Sequence, residues 1–341
     1  MSIIKKGSVT IKDIAQELNI STSTVSRALA DNPLVKPATK AAVKELAKKY
    51  HYQPNFTALS LRSNKTNTIG IIIPQIVHEF FALVIRGIED YAYSQGYNVI
   101  ICSSHESYER EVLDAKALLS GRVDGLLACI SRDTNDLAHF IEFKERGIPI
   151  VFFDRTSDIS ETSKVEIDDY NAAYQAVKHL IDIGRKSIAY VGGSKNLNIN
   201  KDRLAGYSKA LSEAGLKTQK DWIVHCEAED FESGKESTTD LIKKNEIDGL
   251  FASTDMLAVG AIKNMKAQGL QIPKDIAVVG FSNWSISSLY EPSISTVDQP
   301  GYEMGLKASE ILIRHINNPD EKNESVILQT ELIIRESSTL V

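Results

Sequence analysis

Four hydroxyl-bearing residues stand in a row at Ser21-Thr22-Ser23-Thr24, and Ser26 and Arg27 follow at once. One Ser or Thr is enough to cap a helix, because its oxygen accepts from the exposed N–H groups of the first turn. The others have hydrogen-bonding capacity to spare. A hydroxyl can donate to or accept from a base edge, a Thr methyl can meet a thymine methyl, and an arginine can bond guanine at two points. On this reading Ser21 caps, Thr22 and Ser23 face base edges, and Thr24 and Ser26 cap or reach phosphates. Arg27 has the length to read a base or to hold a phosphate, and only the first specifies sequence.

A second set of polar and aromatic residues follows apolar runs further along: Asp154-Arg155, Thr254-Asp255 and Ser282-Asn283-Trp284. Such groups suit a polyol ring, held by hydrogen bonds and stacking. No nucleophile–base pair accompanies them. The first apolar run is not followed by G-x-G-x-x-G, and there is no P-loop, G-x-S-x-G elbow or H-E-x-x-H. The seven histidines are dispersed, and Cys102, Cys129 and Cys226 lack C-x-x-C spacing. Binding is therefore favoured over catalysis, with no cofactor and no metal.

The elements that must position the hydroxyls are short helices. Thr10 and Asp13 resemble a capping box. Ile11, Ile14, Ala15 and Leu18 then give a first helix over 11–18. Asn19, which tolerates a left-handed backbone, marks a tight turn. Ser21 opens a second helix, with Val25, Ala28 and Leu29 inward and Asn32-Pro33 at its end. Pro37 opens a third, which runs to about Tyr50 with Val43, Leu46 and Ala47 on one face. Two short helices on a tight turn, braced by a third, make a helix-turn-helix, whose second helix enters the major groove.

Charge divides the chain the same way. Residues 1–65 carry eleven Lys/Arg against four Asp/Glu, a surplus of seven, which leaves −13 on the rest of a chain whose total is −6. A basic module that touches phosphates, joined to an acidic body, fits this balance; so does a solvated basic arm. At 341 residues with 43% apolar content, the chain has room for two or three packed domains. The start "MSIIKKGSVT" is too polar for a signal peptide, and no apolar run is long enough to span a bilayer. A soluble cytoplasmic protein is expected. Residues 56–62 offer about two helical turns, marginal alone. They could fold on a target with Leu59 or Leu61 as a minor-groove wedge, or serve as a linker packed on the body.

From Thr68 onward strand-like runs such as "TIGIIIP", "VDGLLACI", "IPIVFFD", "SIAYVGG", "IDGLFAS" and "DIAVVGFS" alternate with amphipathic helical stretches. Apolar strands separated by helices imply parallel sheets covered on both faces. The run is too long for one sheet, so an α/β body of two Rossmann-like subdomains meeting at a cleft is expected.

The motifs "VTIKDIAQELNISTSTVSRALA", "YQPN" with "ALSLRS", "RVDGLL", "RLAGY", "STDMLAVG", "VVGF" and "STVDQP" resemble the lactose/galactose-repressor family of bacterial transcription regulators over essentially the whole chain. The resemblance implies a helix-turn-helix head over 1–54, a hinge helix and linker over 55–67, and a type I periplasmic-binding-protein-like body over 68–341. Within the body, 68–166 and 296–327 would form one subdomain, and 167–295 and 328–341 the other. It implies a homodimer reading a near-palindromic operator. The DNA-contacting positions would be Thr10, Ser21, Thr22, Ser23, Thr24, Ser26, Arg27, Asn55, Ala58, Leu61 and Arg62, with Leu61 entering the minor groove. In the cleft, Arg203 would clamp ligand oxygens, Phe231 would stack, and Asp154 would supply a carboxylate. Phe80 and Phe81 would line the cleft wall or simply pack in the core. Asp168 reads more readily as a helix N-cap than as a rim residue.

Two cleft positions depart from the family pattern. Ser282, Asn283 and Trp284 stand where many members carry an acidic pair, and Thr254 replaces an amide. A carboxylate exchanged for neutral donors and an indole implies a ligand that is less polar, more anionic, or held by stacking. The expected function is a repressor of carbohydrate-related genes, nucleoid-associated, with an allosteric small ligand, probed against three rivals. These are a solute-binding protein for a sugar, an enzyme, and a regulator controlled by a protein partner.

Overall fold

The computed structural model describes residues 9–52, 65–157, 159–244 and 247–339, which fall into two compact units divided between Thr66 and Asn67. In the first unit, α1 (Ile11–Glu17), α2 (Thr22–Leu29) and α3 (Pro37–Lys49) enclose Ile14, Ala15, Val25, Ala28, Val43, Leu46 and Ala47. Asp13 accepts from both the N–H and the hydroxyl of Thr10, at 2.8 and 2.6 Å. Asn19 turns the chain at φ 51°, as its tolerance of the left-handed region leads one to expect. Helix α2 ends before Asn32-Pro33 because Asp31 takes φ 52°. Asn32 then accepts from the Leu34 N–H at 2.9 Å. A hydroxyl of Tyr50, shared between the Glu17 carboxylate oxygens at 2.8 and 3.0 Å, ties the end of α3 to α1.

The second unit is built on two six-stranded sheets. The first contains β1 (Thr68–Ile73), β2 (Asn98–Ser103), β3 (Gly125–Ala128), β4 (Ile150–Phe153), β5 (Ser163–Ile167) and β11 (Ser325–Leu328), in the order β11-β5-β4-β3-β1-β2. The second contains β6 (Ile188–Gly192), β7 (Ile223–His225), β8 (Gly249–Ala252), β9 (Ala277–Ser282), β10 (Ser295–Asp298) and β12 (Glu331–Ile333), in the order β12-β10-β9-β8-β6-β7. The inner strands β3, β4, β6 and β8 are buried at every position, which only helices on both faces allow. Around the first sheet lie α4 (Glu79–Ser94), α5 (Tyr108–Ser120), α6 (Ala138–Glu145) and α12 (Gly301–Asn317). Around the second lie α7 (Asp169–Asp182), α8 (Asn198–Glu213), α9 (Phe231–Lys244), α10 (Asp255–Ala267) and the short α11 (Ser285–Leu289).

The chain passes between the sheets three times, after β5, after β10 and after β11. The division expected at 295/296 cuts through β10, which pairs with β9 from Ser295 to Asp298, so the passage falls after Asp298. Ile167 and Leu328, both expected in the second subdomain, likewise stay in the first sheet, where they pair. All described pairings are parallel except β10 with β12. Strand β10 runs toward the passage and β12 starts from it, so the two must run in opposite directions. Some helices approach so closely that a side chain would not fit: a Cβ on Gly305 of α12 would lie 2.0 Å from the Val84 carbonyl oxygen of α4.

Candidate functional site

The head presents the hydroxyls of Ser21, Ser23 and Thr24 as one linked group. Ser21 Oγ accepts from the Thr24 N–H at 3.1 Å and lies 2.8 Å from the hydroxyls of both Ser23 and Thr24. A base edge would therefore compete with the helix cap for Ser23. Thr22 is exposed, Thr24 and Ser26 are half-buried, and Arg27 is exposed with no side-chain bond to another described residue. Lys40 donates to the Asp31 carbonyl at 2.8 Å, and Lys44 pairs with the Asp31 carboxylate at 2.7 Å. That pairing holds the Asp31 carboxyl below its usual range. Asn55, Ala58, Leu61 and Arg62 lie outside the described residues.

In the second unit Asp154, Thr254 and Ser282 stand at or just beyond the C-terminal ends of β4, β8 and β9. Arg203 of α8 is 3% exposed. Its Nε donates to Asp169 at 2.7 Å, its Nη1 donates to the Ser253 carbonyl at 2.8 Å, and the guanidinium lies 3.8 Å from the Phe281 ring centre. Two of its five N–H groups are thus committed. Burial outweighs the arginine's pull on Asp169, whose carboxyl is pushed up to about 7. Asp154, at φ 58°, is also buried, and burial raises its carboxyl; its nearest thiol, Cys129, lies 3.7 Å away.

The remaining predicted residues divide. Thr254 is 8% exposed and caps α10 through the Leu257 N–H. Ser282, strained at φ 105°, donates to Gln299 at 2.6 Å. Phe231 is half-buried against the core of the second subdomain. Phe80 and Phe81 are both buried in the core, Phe81 with its ring 6.2 Å from His78. Trp284 meets His78 edge-on at 5.1 Å, and its indole nitrogen is buried without a partner. Asn283 spans Arg335 and Asp298, both at 2.7 Å. Asp255 accepts from Thr296 at 2.6 Å and from the Trp284 N–H at 2.8 Å, and burial pushes it up to about 6. Asp168 caps α7 by accepting from the Asn171 N–H.

Residues that the sequence did not single out complete the cleft. Glu106 holds Arg155 by both carboxylate oxygens at 2.9 Å. Glu229 accepts from Ser253 at 2.6 Å and leans over Gly193, where a Cβ would lie 2.3 Å from its carboxyl carbon. His78 is held below its ordinary value, first by burial and then by the Arg155 charge. Asn200 is 1% exposed and stands three residues before Arg203, on the same helix face. That i, i+3 spacing of polar residues on a buried face was the available signal. Four buried polar atoms here have no hydrogen-bond partner among the described residues: Arg155 Nε, Tyr190 Oη, Asn200 Oδ1 and Trp284 Nε1. Among the described residues no helix is long and apolar enough to cross a membrane.

Residues 10–55 match the family of bacterial regulatory proteins of the lacI type, and residues 66–336 match that of periplasmic binding proteins and the sugar-binding domain of the LacI family. The chain is 35% identical to catabolite control protein A of Priestia megaterium over 332 residues, 97% of this chain and 99% of that one. It is 32% identical to the HTH-type transcriptional repressor PurR of Aliivibrio salmonicida over 96% of this chain and 98% of that one. A solved structure of the lac repressor dimer bound to operator and the anti-inducer ONPF is similar with TM-score 0.87, covering 98% of this chain and 100% of that one. At 22% identity it speaks for the fold alone. The relatives named here are transcription regulators rather than enzymes, and the chain belongs to the LacI family of bacterial transcription regulators.

Proposed function

We propose that the protein is a cytoplasmic repressor that binds a near-palindromic operator as a homodimer, with its operator affinity set by a hydroxyl-rich small molecule in the cleft of the body. A sugar or sugar derivative fits that chemistry best. One observation supports the reading: Arg155 Nε, Tyr190 Oη, Asn200 Oδ1 and Trp284 Nε1 are buried without a hydrogen bond among the described residues. Burying a polar group without a hydrogen bond costs about 1–3 kcal/mol, and a ligand bearing several hydroxyls would remove that cost at several points together. Arg155 favours a neutral ligand over an anion, since the Glu106 carboxylate already holds it by both oxygens. The head supports operator binding through the exposed Thr22 and Arg27 beside the Ser21 cap. The DNA roles of Thr10, Ser23, Thr24, Ser26, Asn55, Ala58, Leu61 and Arg62 belong to the same proposal.

The test has two steps. Full-length protein selects its operator from a random duplex library, and operator affinity is then measured with and without saturating monosaccharides and nucleosides. A true effector changes operator affinity, and operator changes effector affinity by the same factor. A ligand that raises the thermal midpoint yet leaves operator affinity untouched would show binding without regulation. That result would overturn the allosteric half of the proposal.

A further inference from the structure

Arg155 stands beside Asp154, its Nε 4.0 Å from the Asp154 carboxylate, and also lines a cavity of about 250 Å³. Its walls come from both subdomains: the segment after β3, residues Arg155 to Ser157, and the approach to α8 at Asn196 to Asn198. None of the eight ligand residues expected from the sequence lines it. The Arg132 guanidinium donates across the subdomain boundary to the Glu227 carbonyl.

The wall after β3 is fixed before any ligand arrives. Glu111, fully buried, accepts from the Ser131 N–H at 2.7 Å, the Thr134 hydroxyl at 2.8 Å and His139 Nε2 at 2.9 Å. Glu106 accepts from the Arg132 N–H at 2.7 Å while it holds Arg155. Two carboxylates five residues apart therefore clamp consecutive N–H groups of one loop. Arg155, more than nine-tenths buried, has its Nε without a hydrogen bond to the described residues, 4.0 Å from the Asp154 carboxylate. A loop restrained at so many points loses little further freedom on binding, which favours affinity.

Charge and size narrow the occupant. Arg132 and Arg155 are matched by Glu106 and Asp133, with Asp136 also on the lining. A phosphate would meet a surplus of carboxylate there. The amides of Asn135, Asn196 and Asn198 can each donate to and accept from hydroxyls. Sites that hold a whole drug-sized ligand run to about 300–1,000 Å³, so this cavity suits one ring-sized unit. We infer that the cavity is a second subsite, which takes a neutral hydroxyl-bearing unit of an extended ligand, such as the second ring of a disaccharide, beside a first unit at Asp154 and Arg203. This rests on the sugar reading of the cleft.

Calorimetric titration of the full-length protein tests it, using glucose, galactose and mannose, their 1,4-linked disaccharides, and the 6-phosphates of the monosaccharides. The expected result is a disaccharide that binds about 30-fold more tightly than its own monosaccharide. Asn198→Trp, at an exposed position, fills the cavity and should erase that advantage while monosaccharide affinity stays within about twofold. Asn196→Leu removes an amide without adding bulk and should erase part of it. Equal affinity for both lengths would overturn the subsite, as would equal loss of both in the variants or tighter binding of a phosphate. If no carbohydrate binds the folded protein, the sugar reading itself falls and takes the subsite with it. Monosaccharide binding without a length effect defeats the subsite alone.

Discussion

The head and the cleft use polar residues in opposite ways. In the head the bonds are exposed: Ser21 meets Thr24 and Thr10 meets Asp13 within a single turn, and even the longer ties, Lys44 to Asp31 and Tyr50 to Glu17, lie at the surface. In the cleft they are buried: Arg203 meets Asp169 across 34 residues, and Arg155 meets Glu106 across 49. Exposed hydroxyls can exchange partners with water or DNA at little cost. Buried ions cannot, because losing one partner leaves the other charge stranded in a medium that solvates it poorly. The head is therefore suited to meet a partner from outside, and the cleft holds a fixed set of donors and acceptors for a ligand to complete.

The largest effect should follow from breaking the buried pair. Arg203→Ala strands Asp169 and removes the guanidinium from the face of Phe281. Urea unfolding at pH 8 should show a loss of about 3–5 kcal/mol. Arg203→Lys keeps the charge but not the two-point geometry and should recover only part. A loss in Arg203→Ala below about 1 kcal/mol would place this pair with exposed ion pairs and remove the contrast with the head.

A pH series sharpens the same point. Burial pushes Asp169 up to about 7, so the folded state holds that proton well above the ordinary carboxylate pKa of about 4. Between those values the folded protein binds more protons than the unfolded chain. Stability contributed by this group is thus fully present at low pH, falls as pH rises from about 4 to 7, and is flat above. Asp169→Asn should remove a slope of up to about 1.4 kcal/mol per pH unit in that window. Asp255, pushed up to about 6, leaves a shallower slope at the lower end. An unchanged profile would mean that the Asp169 proton is not bound in the folded state.

The same contrast decides how much was legible in the sequence. Helices α1 to α3 could be read within one or two residues, because caps, turn residues and helical periodicity are local signals. Asn19 and Ser21 act as their types suggest. The two-sheet α/β body was legible from apolar runs, although nothing local reports that β12 runs against β10. The cleft was harder. Arg203 and Asp154 came from resemblance, while Glu106, Asp169 and Glu229 take their meaning only from partners brought near by folding. Trp284 could be suspected from its position, but its edge contact with His78 follows from two segments that are 206 residues apart.

Arg27 probes the head's side of the comparison. It is exposed and makes no side-chain bond to another described residue, so Arg27→Ala should change fold stability by less than about 0.5 kcal/mol. Its effect belongs to DNA. Loss of a two-point contact with guanine should cost about 1–3 kcal/mol at one base pair and relax preference there. Binding curves on operator and on random duplex separate the possibilities. Equal losses on both would assign Arg27 to a phosphate.

The smallest effect expected is at Ser21, and it asks whether the hydroxyl group of the head does more than cap a helix. Ser21→Ala removes the acceptor for the Thr24 N–H and should cost about 1 kcal/mol of stability, whereas Ser21→Gly should cost only about a few tenths. Ser21 Oγ also anchors the hydroxyls of Ser23 and Thr24, each at 2.8 Å. If that anchoring directs them toward DNA, Ser21→Gly should lose operator affinity as Ala does while keeping nearly full stability. If Gly matches the wild type on both measures, the linked hydroxyls serve the helix end alone, and Thr22 and Arg27 are left to read the groove.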